Sequence, residues 1–307
     1  MEREIANIIN KIEFKNIDKH PNIMIAARFW DDRRYQAAKT CYRFMRMIDD
    51  FIDDRKSSGR EISCLEKEEL SKKVNSWMEC LERVPGDDPF YKELAETIST
   101  FNIPLQIFQN FAKSMLFDIN NDGFSTIEEF IDYAEGASVA PASIFVHLCC
   151  LSEKDDRYIV PDFDVIRVAR PCALFSYIVH IIRDFQEDQL NNLNYFALDI
   201  LKGNNLLPPD LKEIAYGGPV TDSFRNVIGE YCDLAQTYSE QTLRIMQELA
   251  SKLSGRYMLS LHIIYNLYKM VFDRIDRMSG TFTSRELNPS SLEVREKVME
   301  ITAGWKT

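Results

Sequence analysis

Apolar residues return every three or four positions along most of this chain, the period at which one side of an α-helix faces a core. The pattern predicts a long helix over about 21–55, opened by Pro21 and ended by the polar run RKSSGR (55–60). A helix over about 63–83 stops at PGDDP (85–89), and others follow over about 89–101 and 104–119. The next, over about 126–152, contains Pro141 and should kink there. A long helix over about 163–190 follows PDFD (161–164). The stretch GNNLLPPDLKEIAYGGP (203–219) reads as a loop with room for one short helix. Helices over about 221–252, 255–279 and 289–303 complete the pattern. No segment reads as a clear strand, and no repeat period appears. The expectation is one all-α domain over 1–307, a helical bundle around a central cavity.

Composition narrows this picture. With 45% hydrophobic residues in 307, the chain can fill a sizeable interior. Gly and Pro, at 11 each, are too sparse for a strand-and-turn architecture. A net charge of −11 with no basic face argues against a nucleic-acid partner. It leaves a small anionic substrate open, because bound cations reverse the local sign. Seven cysteines without a CxxC spacing read as reduced thiols of a cytosolic protein. The opening MEREIANIIN has no secretory signal, no apolar run reaches about 18 residues, and VMEITAGWKT carries no anchor. A cytoplasmic location is therefore expected.

Two acidic clusters stand out. IDDFIDD (48–54) puts Asp49, Asp50, Asp53 and Asp54 inside an otherwise apolar helix. Asp49 and Asp53 are one turn apart, as are Asp50 and Asp54, and like-charged pairs at that spacing each cost about 0.2–0.5 kcal/mol. Mg²⁺ would relieve the repulsion, since it takes oxygen ligands from one or two carboxylates plus phosphates and water. The plain alternative is a solvated acidic helix end. A second cluster, HIIRDFQEDQ (180–189), repeats the arrangement with Asp184, Glu187 and Asp188. Arg46 lies one turn before Asp49 and Asp50, and Arg183 lies beside Asp184. Guanidinium groups there suit phosphate oxygens. Two acidic rims, adjacent arginines and an aromatic-rich interior suggest a long apolar substrate carrying a diphosphate.

At these residues the chain resembles the squalene and phytoene synthases, the head-to-head prenyl diphosphate synthases. The resemblance rests on YRFMRMIDDFIDD (42–54), DINNDGFSTIEEFIDYAEGASVAPAS (118–143), IIRDFQEDQ (181–189) and NYF (194–196), and it covers nearly the whole length. RDFQED separates it from the chain-elongating synthases, whose second motif repeats DDxxD, and from the usual second metal motif of terpene cyclases. The resemblance implies an all-α isoprenoid synthase fold and Mg²⁺-dependent joining of two prenyl diphosphates, with farnesyl diphosphate the expected donor. The expected path runs through a cyclopropylcarbinyl (presqualene-type) diphosphate to a squalene-, dehydrosqualene- or phytoene-like product, with NADPH consumed only if that product is squalene. Such an apolar product makes peripheral membrane contact an expectation. By matching positions, Asp49, Asp50, Asp53, Asp184 and Asp188 would be metal ligands. Tyr42, Arg46, Tyr133, Arg183 and Tyr195 would be catalytic, and Asn22, His180, Tyr265 and Arg285 would contact diphosphate.

The chain also departs from the family pattern. His180 stands where the family usually has Asn, Leu193 where it has Arg, Asn22 where it has Ser, and ASVAPAS replaces a small-residue VAG segment. Imidazole is a poor Mg²⁺ ligand. These changes keep two further readings open: a prenyltransferase or cyclase that uses one prenyl diphosphate and another acceptor, and a non-enzymatic relative. DINNDGFSTIEE (118–129) imitates a calcium loop at Asp118, Asn120, Asp122, Gly123 and Glu129, but Ser125 sits where an apolar residue belongs and no second loop pairs with it. His147 and His262 read as core or surface histidines. Phe44, Phe51, Phe145, Phe175 and Tyr177 read as core, some of them lining the cavity.

Overall fold

The computed structural model describes residues 2–16, 22–83, 87–155 and 157–305. Pro21, Pro85 and Gly86 lie outside the described residues. The order is α1 (Glu2–Asn10), α2 (Asn22–Ala27), α3 (Asp32–Ser57), α4 (Cys64–Glu82), α5 (Pro89–Phe101), α6 (Leu105–Asn120) and α7 (Ile127–Ala134). A π-helical turn (Glu135–Val139) leads into α8 (Ala140–Cys150), and a short antiparallel hairpin pairs β1 (Ser152–Lys154) with β2 (Arg157–Ile159). Then come α9 (Val165–Arg183), α10 (Phe185–Leu190), α11 (Leu198–Gly203), α12 (Pro208–Ala215), α13 (Asp222–Leu249), α14 (Gly255–Phe272), α15 (Ser284–Leu287) and α16 (Ser291–Ala303). The expected all-α architecture is the one observed.

Four local differences from the sequence pattern have physical causes. The helix expected over 21–55 is two, α2 and α3. The Arg256 guanidinium takes the carbonyls of Phe29 (2.8 Å) and Trp30 (3.0 Å) at the break, and Asp31 caps α3 through the Arg34 N–H (3.0 Å). Such side chains satisfy groups that a continuous helix would have paired. The helix expected over 163–190 is interrupted at Asp184 (φ −93°, ψ 4°), which separates α9 from α10. The Pro141 irregularity takes the form of the wide turn before it, since Pro has no N–H to continue the ladder. The hairpin is only three residues a side, too short for alternation to declare itself.

That wide turn is held tightly. A Cβ on Gly136 would stand 2.1 Å from Ser114 Oγ and 2.2 Å from Asn110 O, so only glycine lets the turn approach α6. Ser138 Oγ donates to Ala173 O (3.0 Å), which ties the turn to α9.

Helix α9 is the axis of the fold and packs on α8, α13, α14 and the π-turn. Its length and apolarity would suffice to cross a membrane, but 67% of that apolar window is buried by the other helices. Helix α3 packs on α5, α6 and α8. Helix α8 thus contacts both α3 and α9, whose C-terminal parts carry the two acidic clusters.

Candidate active site

The first acidic cluster occupies the last turns of α3. Arg46 there bonds both Asp49 Oδ2 (2.8 Å) and Asp50 Oδ1 (2.6 Å), and it remains half-exposed beside half-exposed Asp50. Asp49 keeps 31% of its side-chain surface accessible. Burial nevertheless pushes its carboxyl up to about 6, against the pull of Arg46. A group that is accessible yet desolvated opens onto a recess rather than onto free solvent. Asp53 is driven further, to about 8, by burial and by the charges of Asp49 and Asp118.

The second cluster sits at the α9–α10 break. Arg183 grips Asp184 with two bonds of 2.6 Å, and His180 Nε2 lies 2.8 Å from the same carboxylate. Burial works to raise the Asp184 carboxyl, but His180 and Arg183 together hold it well below the usual range. Asp188, one turn on, has no such clamp. Burial, Asp184 and Asp53 push it up to about 8. The Asp53 charge acting on Asp188 places the ends of the two clusters near each other.

Tyrosines floor this space. Tyr177 on α9 stacks on Phe130 (5.7 Å between centroids) and meets Tyr133 at 6.4 Å and Tyr195 at 6.3 Å. Burial, with the nearby carboxylates, holds all three phenols well above their usual range, so they are neutral donors. Tyr42 borders Arg46 and is raised to about 12, chiefly by burial.

The remaining sequence candidates divide. Tyr265 points into the core, where its hydroxyl meets Ser239 Oγ (2.9 Å) beside Phe175. Tyr268, one turn later, is the α14 tyrosine that feels Arg183 and Asp184. Asn22 begins α2. Ser260 bonds Ala26 O and Arg256 bonds Phe29 O, so α2 runs antiparallel to α14 and carries Asn22 toward the Tyr268 end. Arg285 is exposed on α15, beside α10, where Gln186 Oε1 accepts from Ser284 N (3.0 Å). The sequence reading did not single out Tyr268 or Lys56. Spacing gives a signal for Tyr177, since Tyr177, His180 and Asp184 follow an i, i+3, i+7 face. It gives none for Lys56.

The calcium-loop imitation does not form a site. Lys56 Nζ takes Asp118 Oδ1 (2.5 Å), Asp118 O (3.1 Å) and Asn121 O (3.1 Å), and Glu129 accepts the Ser125 N–H at 2.5 Å. Among the described residues no three His, Cys, Asp or Glu side chains gather closely enough to hold a metal ion. The donor chemistry of the recess still fits Mg²⁺. Asp53 and Asp188, one from each cluster, have no salt-bridge partner among the described residues, and Mg²⁺ needs only one or two carboxylates beside water and phosphate oxygens. His147 is a core histidine, its Nε2 2.8 Å from Phe101 O, and His262 lies against Trp305 (4.9 Å). Two shallow, half-open cavities lie elsewhere: about 500 Å³ near Met258, His262 and Trp305, and about 380 Å³ behind α10.

The chain has relatives of known family and fold. A family model described as squalene/phytoene synthase matches residues 18–293. The chloroplastic phytoene synthase of Narcissus pseudonarcissus is 22% identical over 253 residues, 82% of this chain and 56% of that protein. The chloroplastic phytoene synthase 2 of Solanum lycopersicum is 21% identical over 258 residues, 83% of this chain and 76% of that protein. The chain thus spans little more than half the length of the first of these relatives. Among solved structures, a dehydrosqualene synthase superposes with a TM-score of 0.69 at 15% identity, over 98% of this chain and 96% of that one. The squalene synthase HpnC from Alicyclobacillus acidocaldarius gives 0.66 at 16% identity, over 88% and 93%. These likenesses establish the all-α fold. Together with a family match that runs across all but the ends, they lead to one statement of kinship: this chain belongs to the squalene/phytoene synthase family.

Proposed function

We propose that the protein joins two prenyl diphosphates head to head, with farnesyl diphosphate as the donor and a C30 squalene- or dehydrosqualene-like product. The observation that carries this reading is the pair Asp53 and Asp188, one from each acidic cluster, both driven up by burial and neighbouring acids, with the Asp53 charge acting on Asp188 and both acting on the buried Tyr195. Asp49, Asp53 and Asp188 would hold Mg²⁺, with Asp50 at the open edge and Asp184 behind its arginine clamp. Bound there, the metal supplies positive charge that neutralises the carboxylates and favours departure of diphosphate.

The chain's own residues do the rest. Arg46 and Arg183 stand at the two rims, where each can exchange a carboxylate for a phosphate oxygen. Their fixed charge stabilises the leaving group as its bond to the allylic carbon breaks. Tyr133, Tyr177 and Tyr195 present neutral rings and hydroxyls to the allylic cation, whose charge the ring faces attract. Phe117, Phe124 and Phe130 pack behind Tyr133 and Tyr177 and exclude water that would quench the cation. Tyr42 and Tyr268 border the rims at Arg46 and Arg183 and supply hydroxyl donors.

The test is incubation with farnesyl diphosphate and Mg²⁺, with and without NADPH, and mass spectrometry of the products. A C30 species supports the reading, and its dependence on NADPH distinguishes squalene from the unreduced product. Asp53→Asn and Asp188→Asn should each abolish turnover with helicity intact; full activity in either sinks the two-rim arrangement. A second reading, one prenyl donor and another acceptor, is favoured by His180, whose imidazole occupies Asp184. It expects diphosphate release with no C30 species.

A further inference from the structure

The 380 Å³ cavity behind α10 is lined by three stretches of chain and by Arg225 of α13. Phe185 and Gln186 form one wall, the 214–220 connection to α13 a second, and residues 280–283 a third. Gln186 leaves α10 on the side opposite Asp188 and ties the flanks together. Its Nε2 donates to Ala215 O (3.2 Å), and its Oε1 accepts from Ser284 N (3.0 Å).

Arg225 is the one charged side chain in the lining. It is half-buried, donates a single hydrogen bond to Gly280 O (3.0 Å) and lies over the Phe282 ring at 5.7 Å. No carboxylate among the described residues forms a salt bridge with it, although Asp276 lies near enough to feel its charge. The acids close by are already engaged. Asp276 accepts from Met278 N (2.9 Å), Ser279 N (3.0 Å) and Ser279 Oγ, and Glu286 accepts from Thr281 N (2.7 Å) and Thr281 Oγ1 (2.5 Å). The N–H groups of Phe282 and Thr283 have no acceptor among the described residues. A partly buried cation with no salt-bridge partner and only the already engaged Asp276 near it, beside unclaimed N–H donors, is an arrangement that an anion completes.

The same wall carries backbone strain. Phe282 is fully buried with φ 53°, a region that bulky residues avoid and that recurs at ligand clamps. Its ring meets Phe224 edge-on at 5.5 Å, Phe224 meets Phe185 at 4.7 Å, and Phe185 directly follows Asp184 in the chain. Contact therefore runs unbroken from the cavity to the second acidic rim.

We propose that this cavity binds a small oxyanion, the carboxylate or phosphate group of a compact metabolite, held by Arg225 and the N–H groups of Phe282 and Thr283. Binding fixes the 280–283 wall and, through Phe224 and Phe185, steadies α10. Neither statement depends on which reaction the rims perform.

The test is hydrogen exchange on the full chain in Mg²⁺-free buffer with a chelator, adding inorganic phosphate in one arm and acetate in the other. At ten times the dissociation constant, local opening over 280–286 should slow about tenfold, with slower exchange also over 184–190. The arm that protects identifies the oxyanion. Arg225→Gln should abolish the protection. Val220→Phe, which fills the cavity and keeps Arg225, should do the same, and it decides the matter if the first variant fails to fold. The proposal is overturned if neither anion protects 280–286 at millimolar concentration. It is equally overturned if protection appears only at the rim segment 42–54, or persists in a folded variant.

Discussion

Lys56→Met removes the cation at the centre of a buried three-acceptor site. Lys56 and Asp118 are only 11% and 10% exposed, and the ammonium serves a carboxylate at 2.5 Å and two carbonyls at 3.1 Å. Stripping one partner from a buried pair costs about 3–5 kcal/mol, because the other charge stays desolvated. Asp118 can relieve part of that by taking a proton, since burial already raises its carboxyl, so the lower end of the range is expected. In a chain of this size each kcal/mol shifts the melting temperature by about 2 °C, which gives a fall of about 6 °C. Urea unfolding followed by far-UV circular dichroism measures the loss from the midpoint at constant slope. The pair Lys56→Met with Asp118→Leu should recover most of the loss, because packed apolar groups replace a buried ion pair at little cost. A single-variant loss below about 1 kcal/mol would refute the reasoning. So would a double variant no more stable than the sum of the two single losses.

Gly136→Ala should cost about 1–3 kcal/mol in thermal unfolding, and pairing it with Ser114→Ala should rescue little, because the new Cβ still meets Asn110 O at 2.2 Å. His147 is kept below its ordinary pKa by burial, so its contribution to stability is full above about 6.5 and declines as pH falls below it. His147→Phe should flatten the urea midpoint between pH 5 and 7.5, and an unchanged slope contradicts this. Tyr268→Phe should lower turnover about tenfold with stability nearly intact, since its buried hydroxyl lies within reach of the Arg183 and Asp184 charges. Tyr265→Phe should show the converse, losing about 1 kcal/mol with its Ser239 bond and little activity. Equal effects in both assays would erase the distinction between the two tyrosines.

Much of the helical framework was legible in the periodicity. The α4, α5, α6 and α16 boundaries fall within two residues of the pattern because caps and turn residues mark them, as Ser63 and Ser290 do with their reciprocal Glu bonds. The split between α2 and α3 was not legible. It depends on Arg256, more than two hundred positions away, and a window of local sequence cannot contain that contact. The hairpin and the interruption at Asp184 were hidden by shortness and by a helical composition on both sides.

The sequence by itself determined the fold class, the two acidic clusters and their arginines, because helical period and i, i+4 spacing are local properties of the chain. It also carried the family resemblance, since motif order survives without any coordinates. Only the tertiary structure decided which carboxylates stay clamped and which do not. Asp49 and Asp184 have cations bonded to them, but Asp53 owes its state to burial, Asp49 and Asp118, and Asp188 owes its state to burial, Asp184 and Asp53. Desolvation and opposing charge depend on which helices meet, and that is written in no single segment. The same reason hid the roles of Tyr268, Lys56 and Arg225. Each takes its character from neighbours that only folding supplies.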